Sequence, residues 1–209
     1  MVKNIVFDIG NVLFGFEPSK EIEKAGISLT KINYINDIIV HDDLWNDYLN
    51  GLVTLNNLEN HFKESYREYS VEIDILLQKE NQKYIIVELK RNTSILKELI
   101  KKYNIYLLSN IAKETYEYLK ETYELISDVR GGIFSYQEHI SKPKKEIFLK
   151  LIKKYNLRQR ESIYIDDKVR NIKVANDLGF IGVKCGLEDD LEKLLNEEGV
   201  FIEYTRDNS

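Results

Sequence analysis

The stretch Val2-Lys3-Asn4-Ile5-Val6-Phe7-Asp8-Ile9-Gly10-Asn11-Val12-Leu13 decides how the rest of the chain is read. Val2 to Phe7 is a short β-rich run without a polar alternation, the pattern of a strand buried on both faces of a parallel sheet. The run stops at Asp8, and Gly10 and Gly15 then punctuate a loop. Ligands of open α/β sheets bind beyond the carboxyl ends of the strands, so Asp8 stands where chemistry is expected.

Working outward, residues 17 to 80 change character. They are rich in Glu, Lys, Asn, Leu, Ile and Tyr, and Leu55, Leu58, Phe62 and Tyr66 step along one helical face. Thr54 reads as the N-cap of that helix and Gly51 as the stop of the one before it. From Lys90 onward helices and strands alternate. Helical faces through Ile95–Tyr103, 112–121, 144–155, 169–178 and 188–198 are separated by short strands at Ile105–Leu108, Gly132–Ser135, Ser162–Ile165 and Phe180–Val183. This alternation predicts an α/β fold: a Rossmann-like parallel sheet with helices on both faces and right-handed crossovers. The helical block is inserted after the first strand. The expected division is a core of residues 1–16 and 88–209 and a helical domain of residues 17–87.

Composition excludes several classes. The 209 residues are 43% hydrophobic, enough for a core, so global disorder is not expected. A net charge of −5 offers no footprint for a nucleic acid backbone. No apolar run is long enough to span a membrane. Asp8 interrupts the N-terminal run and no small-residue cleavage site follows, so a signal peptide is not expected. The single cysteine, Cys185, cannot form an internal disulfide. His41, His61 and His139 are scattered without zinc-ligand spacing. A cytoplasmic protein is the expectation, with the oligomeric state left open.

Three strands end in polar residues: Asp8, Ser109-Asn110 and Asp166-Asp167; Lys142-Pro143 opens the helix before the last of them. Each alone is an ordinary turn or cap. In this order, Phe7-Asp8-Ile9-Gly10-Asn11-Val12-Leu13, Leu108-Ser109-Asn110, Ser141-Lys142-Pro143 and Tyr164-Ile165-Asp166-Asp167 with Asn171 resemble the four motifs of the haloacid dehalogenase-like hydrolase superfamily. The helical insertion resembles its C1-type cap. Gly10-Asn11 and the Trp45, Tyr48, Gly51, Thr54 stretch are most similar to its sugar-phosphate phosphatase branch.

The resemblance implies a Mg²⁺-dependent phosphatase acting on a small phosphorylated metabolite, a sugar phosphate being the example the branch suggests. It places the nucleophile at Asp8, to be phosphorylated and then hydrolysed. A phosphate dianion meeting Asp8, Asp166 and Asp167 requires cations, which one Mg²⁺ and Lys142 supply. Mg²⁺ prefers carboxylate and carbonyl oxygens. Its expected ligands are Asp8, the Gly10 carbonyl and Asp167, with Asp166 bound directly or through water. Ser109, Asn110, Lys142 and Asn11 are the expected substrate-binding residues, Ser109 and Lys142 also assisting catalysis, and Asn171 orients the acidic loop.

One departure matters. Phosphatases of this superfamily usually carry a second aspartate two residues after the nucleophile, as general acid and base; here that position is Gly10. A more acidic leaving group, a substitute proton donor or slow turnover are the alternatives, with activity expected to survive. Two rival functions stand beside the phosphatase. A metal-free haloacid dehalogenase also lacks the second aspartate, but the paired acids at 166 and 167 oppose it. A catalytically weak protein that only binds phosphate or Mg²⁺ is the other.

Overall fold

The computed structural model describes residues 1–18, 21–24 and 26–204. Ser19, Lys20 and Ala25 of the expected helical block lie outside the described residues, as do residues 205–209. The strands are β1 (Asn4–Phe7), β2 (Phe14–Phe16), β3 (Ile86–Glu88), β4 (Asn104–Ser109), β5 (Gly131–Phe134), β6 (Ser162–Asp166) and β7 (Ile181–Lys184). Five of them form one sheet in the order β5-β4-β1-β6-β7, with every pairing parallel. The expected α/β sheet is therefore present, with β1 at its centre.

Side chains leave a strand alternately to its two faces. Ile5, Phe7, Ile105, Leu107, Ile163 and Ile165 enter one core, joined by Ile95, Leu96 and Leu99 of the helix Lys90–Ile100 and by Leu191 and Leu195 of the helix Leu191–Glu197. Val6, Tyr106, Leu108, Ile133 and Tyr164 enter the other, against Ile147, Phe148 and Leu151 of the helix Lys145–Tyr155 and Ile172 and Ala175 of the helix Val169–Asp177. Both faces are covered, which is why these strands lack a polar alternation.

Register places the chemistry. Phe7 pairs with Leu107 on one side and Ile165 on the other, so Asp8 lies level with Leu108 and Asp166. The backbone N–H of Asp8 donates to the Ile165 carbonyl at 2.9 Å. At the opposite sheet edge a polar row ties the same three strands: Asn4 Nδ2 donates to Ser162 Oγ and Asn104 Nδ2 to Asn4 Oδ1, each at 3.0 Å.

The helical block contains the helices Glu21–Lys24, Leu29–His41, Asp43–Leu49, Leu55–Ser65 and Ser70–Leu77. Ile32, Ile35, Ile39, Leu58, Phe62 and Ile73 close a core of its own. Thr54 caps the fourth helix as expected, its Oγ1 accepting from the Asn57 N–H at 3.2 Å. Gly51 has φ of 64° and sits so close to the Tyr136 carbonyl that a Cβ would collide with it. It thus ends one helix and also seats the block on the sheet domain. Sequence patterning missed β2 and β3, which at three residues each carry too little periodicity to read. They pair antiparallel, Phe14 opposite Glu88 and Phe16 opposite Ile86, so both chain crossings between the block and the sheet run in one ribbon.

The loop after β1 is held from an unexpected direction. Asn92, which in sequence reads only as an Asn-Thr-Ser acceptor triplet, is buried, and its Nδ2 donates to the Val12 carbonyl at 2.7 Å. Replacing Asn92 by Ala leaves that buried carbonyl without a partner. The variant is expected to lose about 1–3 kcal/mol in urea unfolding; a loss below about 0.5 kcal/mol means the bond does not hold the loop.

Candidate active site

Asp8, Ser109 and Asp166 converge because β1, β4 and β6 are neighbours that end together. Asp8 is the first residue past β1, while Ser109 and Asp166 are the last residues of β4 and β6. Carboxylate oxygens of Asp8, Asp166 and Asp167 lie within 4.8 Å of one another. Lys142, almost wholly buried, stands between two of them: its Nζ is 2.8 Å from Asp8 Oδ2 and 2.7 Å from Asp166 Oδ2. It also donates to the Leu108 carbonyl at 2.9 Å and lies 5.9 Å from the Tyr164 ring centre, at the limit of a cation–π contact.

The charges shift one another. Burial pushes the Asp8 carboxyl up to about 6; Lys142 opposes the shift and Asp166 adds to it. Burial alone would lower Lys142, but Asp8 and Asp166 outweigh it and hold the ammonium above its ordinary range. Burial would raise Asp166, yet Lys142 and the Tyr164 hydroxyl keep it below the usual carboxylate range. The cluster thus carries an ionised Asp166–Lys142 pair with Asp8 poised beside it.

Hydrogen bonds sort the acids. Asp166 is saturated: Oδ2 accepts from Lys142, from the Tyr164 hydroxyl and from Asn171 Nδ2 at 3.0 Å, and Oδ1 accepts from the Lys168 N–H at 2.8 Å and Asn171 Nδ2 at 2.9 Å. Asp167 is not. Its Oδ2 accepts from Asn11 Nδ2 at 3.1 Å, while its Oδ1 is buried without any hydrogen-bond partner among the described residues. An unpartnered buried carboxylate oxygen is costly unless a cation meets it, so the donor set suits a hard divalent ion.

Two expected substrate ligands have other partners. The Asn110 amide is engaged in both directions by the Lys142 backbone, accepting from its N–H at 2.8 Å and donating to its carbonyl at 3.0 Å. Asn110 therefore positions Lys142, across the cis Lys142-Pro143 segment. Asn11 holds Asp167; it takes φ of 58°, a left-handed conformation that asparagine tolerates better than most side chains. Ser109 is buried, lines the cavity and hydrogen-bonds the Asp8 carboxyl, a contact that favours the ionised acid. Gly10 lines the cavity as well, and Phe16 occupies the space next to it, 3.5 Å from where a Cβ would stand. Asn171 orients Asp166 as expected. Tyr164 went unassigned in the sequence because it lies inside an apolar strand, where a tyrosine reads as core.

A cavity of about 280 Å³ opens from these residues toward the helical block. Its far wall comes from the helices Leu29–His41, Asp43–Leu49 and Ser70–Leu77 and includes Trp45 and Tyr48. Burial, reinforced by Glu114, raises the Tyr48 hydroxyl above its ordinary range; that hydroxyl donates to Glu114 Oε2 at 2.7 Å, tying the block to the sheet domain. The Leu49 and Asn50 carbonyls add further ties, accepting from Ser135 Oγ at 2.5 Å and pairing with His139 Nδ1 at 2.9 Å. No helix among the described residues is long and apolar enough to cross a membrane.

Comparison with known proteins agrees with this geometry. The family model of haloacid dehalogenase-like hydrolases matches residues 2–179. The sesquiterpene phosphatase astK of Aspergillus oryzae is 26% identical over 184 residues, covering 87% of this chain and 88% of that protein. The D-ribitol-5-phosphate phosphatase of Bacteroides thetaiotaomicron is 26% identical over 195 residues, covering 86% and 90%. Among solved structures, a HAD family enzyme of Bacteroides thetaiotaomicron in complex with magnesium and inorganic phosphate superposes with a TM-score of 0.74 at 22% identity, covering 93% of this chain and 99% of that one. The L-2-haloacid dehalogenase of Xanthobacter autotrophicus superposes with a TM-score of 0.63 at 16% identity, covering 88% and 77%. With the motifs, the parallel sheet and the matched span in agreement, the chain belongs to the haloacid dehalogenase-like hydrolases.

Proposed function

We propose that this hydrolase is a Mg²⁺-dependent phosphatase that cleaves a small phosphomonoester through an aspartyl-phosphate at Asp8. The observation that carries the reading is the buried, unpartnered Asp167 Oδ1 facing an acidic cluster that already holds its own buried lysine. Two curated relatives that span most of the chain are phosphatases, which supports the same reaction class.

Asp8 and Asp167, with the Gly10 carbonyl, would hold the ion, and Asp166 supports the cluster through Lys142 and Asn171. Magnesium, when bound, neutralises charge on the phosphoryl oxygens and on the carboxylates around them. The protein's own groups do the rest. Lys142 keeps Asp8 ionised and in place and faces the transferring phosphoryl group as a second cation. Ser109 donates its hydroxyl to a phosphoryl oxygen. Asp8 attacks phosphorus, the bond to the leaving oxygen breaks, and water then cleaves the acyl phosphate to release inorganic phosphate and restore Asp8. Residues 17–87 act as a cap over a core of residues 1–16 and 88–209, excluding solvent while the phosphoryl group is transferred.

The leaving oxygen has no carboxylic acid at position 10 to protonate it. Besides Asp8, Asp167 and Lys142, the ionisable groups lining the cavity are Lys168 and Tyr48, and the Tyr48 hydroxyl is already engaged by Glu114. Departure therefore depends on the acidity of the leaving group itself, on water and on Lys168, whose side chain has no partner among the described residues. The metal-free dehalogenase is disfavoured by the paired acids and by the open oxygen of Asp167, which invites a cation.

Three outcomes check this reading. Phosphate release from acetyl phosphate requires Mg²⁺, stops in EDTA, and falls about a thousandfold or more in Asp8→Asn; intact-protein mass after an acid quench shows one added phosphoryl group in the parent and none in that variant. Haloacid turnover in EDTA, or equal rates for parent and variant, overturns it. Lys142→Met leaves Asp8 and Asp166 facing each other unpaired and costs about 3–5 kcal/mol in urea unfolding with EDTA, an effect Mg²⁺ partly reverses. Rates rise steeply with leaving-group acidity, and Gly10→Asp flattens that dependence by speeding poor leaving groups up to about 10²-fold; an already shallow slope in the parent means a proton donor is present.

A further inference from the structure

We propose that the substrate is the phosphomonoester of a small apolar alcohol and not of a sugar or polyol, an inference that rests on the phosphatase reading above. The cavity has two chemically distinct ends. Its polar end is the acid and lysine cluster. On the side of the helical block it is lined by Trp45, Leu76, Leu77 and Ile85, with Val40 at the rim.

Several polar atoms on that side are already engaged. Thr115 Oγ1 donates to Gln82 Oε1 at 3.3 Å, and Gln82 Nε2 donates to the Leu76 carbonyl at 3.4 Å. The Tyr48 hydroxyl points to Glu114, and its ring packs against Trp45 with centroids 5.5 Å apart. Among the described residues of the far wall, the Asn36 amide and the Trp45 indole N–H are the side-chain groups with no hydrogen-bond partner. A pentitol or hexose chain brings several hydroxyls, each needing a partner once water is displaced, and one amide and one indole N–H are too few to serve them all. Each unsatisfied hydroxyl costs about tenfold or more in affinity. The far wall also carries no cation, so a nucleotide or a second phosphate finds no counter-charge there.

Size narrows the class. The cavity is about 280 Å³, and the phosphoryl group takes its polar end, leaving space for a short alkyl, allylic or aryl group.

The test uses matched probes on the full chain with Mg²⁺. In calorimetric titration, affinity for methyl-, propyl- and pentylphosphonate rises about fourfold per methylene, as expected for burial of each group. Pentyl phosphate and ribitol 5-phosphate, both esters of primary alcohols and so alike as leaving groups, differ in kcat/KM by at least about tenfold in favour of pentyl. Trp45→Ala lowers the pentyl-to-methyl affinity ratio. A flat phosphonate series, or ribitol 5-phosphate turned over as well as pentyl phosphate, overturns this inference alone while acetyl phosphate is still hydrolysed. Absence of Mg²⁺-dependent release from any of these compounds, acetyl phosphate included, overturns the phosphatase reading and this inference together.

Discussion

One ammonium group, Nζ of Lys142, lies within hydrogen-bond distance of two buried carboxylates, and the site depends on that contact. Without it Asp8 and Asp166 would face each other in a medium that screens charge poorly, and one of them would take a proton. With it, Asp166 stays ionised and fixes the lysine, and the lysine holds Asp8. The lysine is held in turn through its backbone by the Asn110 amide and through Nζ by the Leu108 carbonyl. A charge this deeply buried persists because its N–H bonds all find acceptors, the Asp8 and Asp166 carboxylates and the Leu108 carbonyl.

The outer acid follows a different logic. Asp166 is saturated by five contacts from four residues, whereas Asp167 keeps one oxygen open. Adjacent in sequence, the two residues divide labour because a strand sends successive side chains to opposite sides. Asp166 ends β6 and turns inward to Lys142 and Tyr164; Asp167 begins the loop and turns to Asn11 and the cavity. A paired acid motif therefore does two jobs: one carboxylate builds the electrostatic frame and the other offers itself to a cation.

The helical block lines the cavity without carrying any of the catalytic candidates. The catalytic candidates belong to the sheet domain, and the block contributes the apolar half of the cavity. Its docking runs through Tyr48, Leu49, Asn50 and Gly51, a short helix end and turn whose backbone meets residues 135–139. The helix that ends in this turn also carries Trp45 to the cavity wall.

The three polar strand ends were legible in the sequence because each interrupts an apolar run, and register alone then brings Asp8 and Asp166 side by side. The parallel sheet and the helical insertion were legible for the same reason: periodicities of two and 3.6 survive in a linear reading. The ribbon of β2 and β3, the grip of Asn92 on the loop, the engagement of Asn110 and Asn11 by neighbours, and the apolar wall depended on contacts between residues far apart in the chain. A local pattern records what a residue does for its own element. Which partner satisfies a distant carbonyl, and which side chains close a cavity, is decided only when packing brings separate elements within a hydrogen bond of each other.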